Sequence, residues 1–220
     1  AGLREGEPRL FHSNLLLIRS CGLEADYGTI TSSEEYFYDW KTLYPQDDSG
    51  LAGMNAQQRL VAGMLNRHNL LHILRTSTVL MDTDSGPRIK VVCRYQQYRA
   101  AAKILQRLRT GANSAERSGV VWHTQGSGKS ITMTCFDARV LQEPQLQNPT
   151  VVVITDRNDL DGQLFGVFSL AQDLLREQPV QAHTRQALRQ VLANRPSGGI
   201  IFATIQKFMP GEDEDTFPVL

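Results

Sequence analysis

The run Ser118–Ser130, S-G-V-V-W-H-T-Q-G-S-G-K-S, holds the residue types and spacing most suited to chemistry. Gly126, Ser127 and Gly128 form a compact turn directly ahead of Lys129 and Ser130, with Thr124 and Gln125 leading into it. Glycine at 126 and 128 allows positive φ and lets the backbone approach a ligand closely. If a helix begins at this turn, its first N–H groups converge on one concavity, with the positive end of the helix dipole behind them. Such a concavity suits a phosphate. The Lys129 ammonium would then reach the β- and γ-phosphates of ATP, and the Ser130 hydroxyl would hold the Mg2+ ion that bridges them. The strict pattern is G-x-x-x-x-G-K-[ST], and His123 stands where its first glycine belongs. The competing account is an ordinary glycine-serine loop beside a lysine.

A phosphate loop of this kind must be held between a strand and a helix. Gly119–His123 is apolar and predicts a buried strand; from Ile131 onward, ITMTCFDARVLQ predicts a helix. Further on, Thr150–Thr155 (TVVVIT) and Gly199–Thr204 (GIIFAT) are continuous apolar runs of the kind buried on both faces of a parallel sheet. Asp159–Phe168 predicts the crossover helix between them, and Val180–Leu192 a further helical segment. This alternation argues for an open parallel α/β sheet, whose sites lie beyond the carboxyl ends of its strands. Those positions are His123–Ser130, Asp156–Arg157 and Thr204–Lys207.

Upstream, Leu15–Ile18 and Tyr27–Thr31 read as paired strands around a turn at Cys21–Gly22. Ser32 or Ser33 is placed to cap a short helix carrying Tyr36, Phe37 and Trp40. PQDDSG, from Pro45 to Gly50, is turn chemistry and marks a domain boundary. Asn55–Asn66 predicts a helix with Leu60, Val61, Met64 and Leu65 inward, and Asn69–Thr76 predicts a second. Ser77–Met81 and Ile89–Cys93 are extended pieces flanking DTDSGP. From Arg94 to Leu108, residues Tyr98, Ala101, Ala102, Leu105 and Leu108 make one helical stripe, and Gly111–Ser118 is a flexible connection.

With 41% hydrophobic and 21% charged residues, the chain has the composition of a soluble globular protein, and its 220 residues give room for about one large or two small domains. Net charge is zero, so no global field argues for nucleic acid or membrane. Local charge is uneven. Arg88, Lys90, Arg94, Arg99, Lys103, Arg107, Arg109 and Arg117 face only Glu116 in that stretch, whereas Glu212–Asp215 is acidic. The basic stretch suits polyphosphate or a DNA backbone, or else forms a solvated helix face. Cys21, Cys93 and Cys135 lack metal-ligand spacing, and free thiols in a reducing cytoplasm fit best. No run is long and apolar enough to span a membrane. The abrupt opening AGLREGEPRL and closing FPVL make the sequence read as an internal fragment.

Four blocks in order carry a family resemblance: FHSNLLLIRSCGLEADYGTITSSEEYFYDWKT, RYQQYRAA with VVWHTQGSGKS, VVVITDRNDLDGQL, and IIFATIQKF. The chain resembles the restriction (motor) subunit of type I restriction-modification enzymes, a superfamily-2 DNA translocase with a nuclease domain in the same polypeptide. The residue at position 123 is not reliably glycine in that family. The resemblance implies an α/β, RecA-like phosphate-loop lobe over 89–220, a helical connector over 46–88, and the C-terminal part of a restriction-endonuclease-like domain over 1–45. It implies ATP and Mg2+ as cofactors, and Gln97 as the residue that reads adenine, because one amide offers both a donor and an acceptor. Gln96, beside it, is the alternative reader. It also implies contacts to the DNA backbone from Asp156, Arg157, Gln163, Thr204, Gln206 and Lys207, which fix position without reading sequence. Double-stranded DNA and the methyltransferase and specificity subunits are the implied partners.

Two carboxylate clusters invite other assignments. Asp156, ending VVVITD, could be taken for the magnesium-supporting aspartate, but Arg157 follows where such ATPases carry a glutamate. By resemblance the water-activating acidic block lies past Leu220, and the arginine of a second lobe, whose loss costs ~10³-fold or more, lies further still. Asp26 with Asp39-Trp40-Lys41 imitates metal-nuclease spacing; by resemblance the true cluster precedes Ala1, and surface charges are the competing account. A phosphate-loop kinase and an interaction domain with a vestigial loop are the rival functions.

Overall fold

The apolar runs near the N-terminus pair as a hairpin. β1 (Leu17–Ser20) and β2 (Ala25–Gly28) are antiparallel, with Leu17 opposite Gly28, and the intervening turn uses Gly22 at φ +90°. This computed structural model describes residues 8–81 and 86–210; most of the DTDSGP turn, the acidic Glu212–Asp215 and the extreme ends of the chain lie outside those residues. A third strand, β3 (Tyr38–Asp39), joins β2. The helix expected to carry Tyr36, Phe37 and Trp40 is therefore reduced to one 3-10 turn, Glu34–Tyr36. Aromatic residues favour a half-buried pleat, and pairing with β2 satisfies their backbone.

Asn55 caps α1 (Ala56–Arg59) in a reciprocal pair with Gln58, and the helix continues as a π-turn, Leu60–Met64. Leu60 and Met64 are buried as expected, but the wider turn leaves Val61 52% exposed. Gly63 lies in this turn against Trp40, and a Cβ there would overlap the Thr42 carbonyl and the indole. Asn66 caps α2 (Arg67–Thr76), and β4 (Thr78–Met81) pairs antiparallel with β5 (Ile89–Val92). Then follow α3 (Tyr95–Thr110), with Tyr98 and Ala101 buried, and a short α4 (Ser114–Arg117) in what reads as a flexible connection. Trp40 is the centre of this half: its ring lies 5.7 Å from Tyr27, 6.5 Å from Tyr95 and 5.5 Å from Tyr98. Leu60, Met64, Ile73, Val92, Cys93 and Cys135 complete a core shared by the hairpin, the helices and the helix Lys129–Leu141.

The second half is parallel. α5 (Lys129–Leu141) leads to β6 (Val151–Thr155), α6 (Asn158–Leu170), α7 (Gln172–Leu175), β7 (Val180–Gln181), α8 (Arg185–Ala193) and β8 (Ile200–Thr204). The sheet order is β6-β8-β7, with β8 paired in parallel to both neighbours. Along β8 the side chains alternate, so Ile200 and Phe202 join α6 and α7 while Ile201 and Ala203 join α8. Val180–Leu192 is thus not helical throughout, because its first residues form β7 at the sheet edge. β6 departs from burial on both faces: Ile154 is 53% exposed.

The largest departure is Gly119–His123. This run has no regular secondary structure and pairs with no strand among the described residues, leaving Val120 92% and Trp122 88% exposed. An apolar run sets a preference for burial, but a strand exists only where a neighbour supplies the ladder.

Because Gly63 has no room for a methyl group, Gly63→Ala should lower stability by about 1–3 kcal/mol, read as a lower urea midpoint with an unchanged slope.

Candidate functional site

The phosphate-loop sequence folds as a turn opening a helix. Gly126 has φ +76°, and Gly128, at φ +80° and ψ 44°, occupies the position just before α5 with no side-chain cap. The first-turn N–H groups of Lys129, Ser130 and Ile131 have no intrahelical acceptors, so a 13-residue helix presents an uncapped, positive end. The Thr124 carbonyl closes the turn by accepting from the Ser127 amide at 3.3 Å and the Ser127 hydroxyl at 2.7 Å. Lys129 folds back, and its Nζ donates to the carbonyls of His123 and Thr124 at 3.0 and 2.9 Å. Gln125 is exposed, and Ser130 is half-buried in the first turn of α5.

Gln97 is 4% exposed and fastened to this loop. Its Nε2 donates to the carbonyls of Ser127 and Gly128 at 3.1 and 3.2 Å, and its Oε1 accepts the Arg94 amide at 2.8 Å. Both amide hydrogens are thereby committed, and the oxygen retains one acceptor position. A side chain on Gly128 would collide with this amide, so glycine is required there by packing as well as by φ. Gln96 is exposed.

The rim residues gather at the carboxyl ends of β6 and β8, where Thr155 is in register with Thr204. Gln206 Nε2 donates to the Asp156 carbonyl at 2.9 Å, which joins the two post-strand segments. Asp156 and Arg157 are exposed and 3.6 Å apart, a surface pair of small energetic weight. Thr204 is buried, Lys207 is half-buried in the 3-10 turn Ile205–Phe208, and Gln163 is exposed on α6. Sequence reasoning passes over Asp161, which organises this rim. Buried to 1% exposure, it accepts from the Thr155 hydroxyl at 2.9 Å and from Gln181 Nε2 at 2.6 Å, tying β6, α6 and β7 together. The available signal is a carboxylate in line with Leu164 and Phe168 on one helical stripe.

Much of the basic stretch is committed locally. Arg99 pairs with Asp48 at 2.9 Å, Arg88 with Asp173 at 3.0 Å, and Lys90 donates to the Asn14 carbonyl. Arg109 bonds Gln145, and Arg117 donates to the Gly111 carbonyl. Asp26 and Asp39 do lie opposite each other across β2 and β3, but Arg19 neutralises the first at 3.1 Å and Lys41 the second at 3.0 Å. Among the described residues, no group of three His, Cys, Asp or Glu side chains is placed to hold a metal ion. Cys93 and Cys135 are buried and free, and burial pushes both thiols up, Cys93 to about 11.

A family model described as SWI2/SNF2 ATPase matches residues 96–220, more than half of the chain and the part that holds the phosphate loop and the parallel sheet. The chain belongs to the SWI2/SNF2 ATPase family. Consistent with a RecA-like lobe of that family, a parallel sheet follows the loop-bearing helix. The chain is 41% identical over 215 residues to the HindI endonuclease subunit of a type I restriction enzyme from Haemophilus influenzae, covering 96% of this chain and 20% of that protein. It is 30% identical to the putative MjaIXP endonuclease subunit of Methanocaldococcus jannaschii, over 97% of this chain and 21% of the relative. It is also 30% identical to the SauCOLORF180P endonuclease subunit of Staphylococcus aureus, over 90% and 20%. The chain thus spans about a fifth of the length of these relatives. No helix among the described residues is long and apolar enough to cross a membrane.

The ATPase-family helix α5 also buries two ionisable side chains. Arg139 stacks over Tyr98 at 4.5 Å, and Asp137 is 3% exposed with Oδ2 unpartnered. Burial alone pushes the Asp137 carboxyl up to about 7. The folded state therefore holds this proton over a range in which the unfolded chain has lost it. Stability from this group is fully present below the ordinary carboxylate range and falls as pH rises toward about 7. Thermal melts of Asp137→Asn should lack that decline, so the variant gains relative to the parent chain at pH 8 and not at pH 4.

Proposed function

We propose that the chain is the nucleotide-binding lobe of an ATP-driven DNA translocase within a type I restriction endonuclease subunit. The observation that carries this reading is the uncapped N-terminus of α5, entered through two glycines at positive φ and followed by Lys129 and Ser130. Residues of this kind fit a polyphosphate. The Gly126 position has open space around it, and the Lys129 ammonium, now on two neutral carbonyls, needs only a side-chain rotation to exchange them for an anion. In this reading Thr124–Gly128 cradle the phosphates with backbone N–H groups, Lys129 binds the β- and γ-phosphates, and Ser130 holds Mg2+. Bound Mg2+–ATP would supply the phosphoryl group, with the ion offsetting part of the phosphates' negative charge. Gln97 sets the shape of the loop and, through its spare oxygen lone pair, accepts one hydrogen bond from an adenine amino group.

The rim at Arg157, Gln206 and Lys207, with Gln163 on α6, would meet the phosphates of double-stranded DNA, while the Asp156 carboxylate orients Arg157 and the buried Thr204 supports the rim from inside. Short polar and cationic groups hold a backbone without reading bases, and sequence choice then belongs to a specificity subunit working with a methyltransferase subunit in the cytoplasm. The names of the relatives support an assignment to type I restriction. On this view 1–45 is the end of a nuclease domain, 46–88 a helical connector and 89–220 the first motor lobe.

Two measurements test the reading. Lys129→Ala should abolish calorimetric binding of Mg2+–ATP while leaving the melting temperature close to that of the parent chain, and full ATP binding by this variant would overturn the assignment. Gln97→Ala, by releasing the loop carbonyls, should weaken ATP binding about tenfold or more and speed hydrogen exchange in residues 126–130.

A further inference from the structure

Helix α2 carries His68 and His72 four residues apart, so both imidazoles leave one face of the helix. Their ring centres lie 4.6 Å apart with the planes inclined at 56°. Two imidazoles that share one tetrahedral ion through nitrogens ~2.0–2.1 Å from it have ring centres about 5 Å apart. The observed spacing is close to that. His68 is exposed and His72 half-buried, so the pair can be reached from solvent.

The tautomer of His68 follows from its neighbours. Asn69 is fully buried, and its Nδ2 donates to the carbonyls of Tyr44 and Gly63 at 2.7 and 2.6 Å. Those carbonyls can only accept, which fixes the orientation of the amide and leaves Oδ1 as a pure acceptor. Oδ1 accepts the Tyr98 hydroxyl at 2.7 Å and faces His68 Nδ1 at 3.1 Å. Nδ1 therefore carries the hydrogen, and the lone pair of the neutral ring is at Nε2. A metal-binding histidine is oriented in this way, by a hydrogen bond from its other nitrogen. His72 is held in its neutral form by its surroundings: burial first, then Arg139, His68 and Arg75, push its imidazolium below the ordinary range, and Glu143 opposes them. Arg139 is engaged over the Tyr98 ring at 4.5 Å and Arg75 on Gln142 Oε1 at 2.8 Å, but both cations lower the affinity for any ion. Neutral nitrogen donors, with no carboxylate in the pair, select borderline transition ions over Mg2+ and Ca2+, which prefer oxygen.

We propose that His68 and His72 form a two-histidine site for a divalent transition-metal ion such as Ni2+ or Zn2+, with water completing the coordination. Helical backbone is what holds residues 68 and 72 at this spacing, so a bound ion stabilises α2 against unwinding. With ten residues, α2 has a length at which an isolated helix is marginal. Its last turn is bonded through Arg75 to Gln142, at the end of α5, and Ile73 shares a core with Cys135 of α5. The ion thus firms the support of the loop-bearing helix. Neither histidine takes part in the ATP reading, and the two assignments stand or fall separately.

The test is calorimetric titration of the 220-residue chain with Ni2+ alone, near neutral pH and without nucleotide, alongside thermal melts in excess Ni2+. Ni2+ should bind and raise the melting temperature, and Mg2+ should not compete. His68→Ala, which removes an exposed ring, and His72→Gln should each weaken Ni2+ binding about tenfold or more and abolish the thermal shift. Cys21→Ser, which removes the exposed thiol, should leave both unchanged. Lowering the pH through the imidazole range should displace the ion, because protons compete for the two rings. No Ni2+ binding by the parent chain, binding that survives in both histidine variants, or binding lost with Cys21 overturns the proposal.

Discussion

Gln97 donates its two amide hydrogens to the carbonyls of Ser127 and Gly128 and accepts the Arg94 amide, so one buried side chain joins the start of α3 to the bend that opens α5. The loop depends on this constraint. Two positive-φ glycines give it freedom, and freedom alone would let its N–H groups point anywhere. With its carbonyls held from behind, the bend is fixed where α5 begins, and the first-turn N–H groups of that helix are left without intrahelical acceptors. A buried amide with every hydrogen satisfied is expensive to disturb, which makes the bend a fixed element rather than a flexible tether.

The same logic recurs at the sheet rim. Thr155, Asp161 and Gln181 share one buried carboxylate, and Gln206 reaches the Asp156 carbonyl from the next strand. These bonds tie the post-strand segments to one another, so a contact made at Lys207 is mechanically linked to β6 and α6. On the loop-bearing helix, by contrast, Asp137 and Arg139 are buried without full satisfaction. Polar groups left unpaired in an interior cost stability, and here they lie on the element that carries the functional loop.

The Trp40 cluster explains how an N-terminal hairpin comes to border a phosphate loop. Trp40 contacts Tyr27 on β2 and Tyr95 and Tyr98 on α3, and Gly63 allows the π-turn to close over the indole. With the hairpin anchored to α3, Tyr38 is brought to Arg94, and the space between them and the loop becomes a cavity of about 480 Å³. That space is a product of packing between segments about sixty residues apart in sequence.

Much of the architecture is legible in the sequence because its signals are local. Glycine spacing and the following helical pattern place the loop at the head of α5; the hairpin, β4, β5 and the apolar runs of β6 and β8 follow from composition and periodicity. Where sequence reading falls short, the deciding partner lies elsewhere in the chain. Gly119–His123 has the composition of a strand and, among the described residues, no ladder beside it, Trp40 belongs to a core rather than to a helix, and residues 180–181 pair with β8 instead of coiling. By itself the sequence determined that a glycine-rich bend leads into a helix and a parallel sheet. Tertiary structure alone decided that Gln97 is committed to holding the bend, that Asp161 knots the rim and that the hairpin closes one side of a cavity, because burial and hydrogen-bond satisfaction depend on neighbours that residue order does not name.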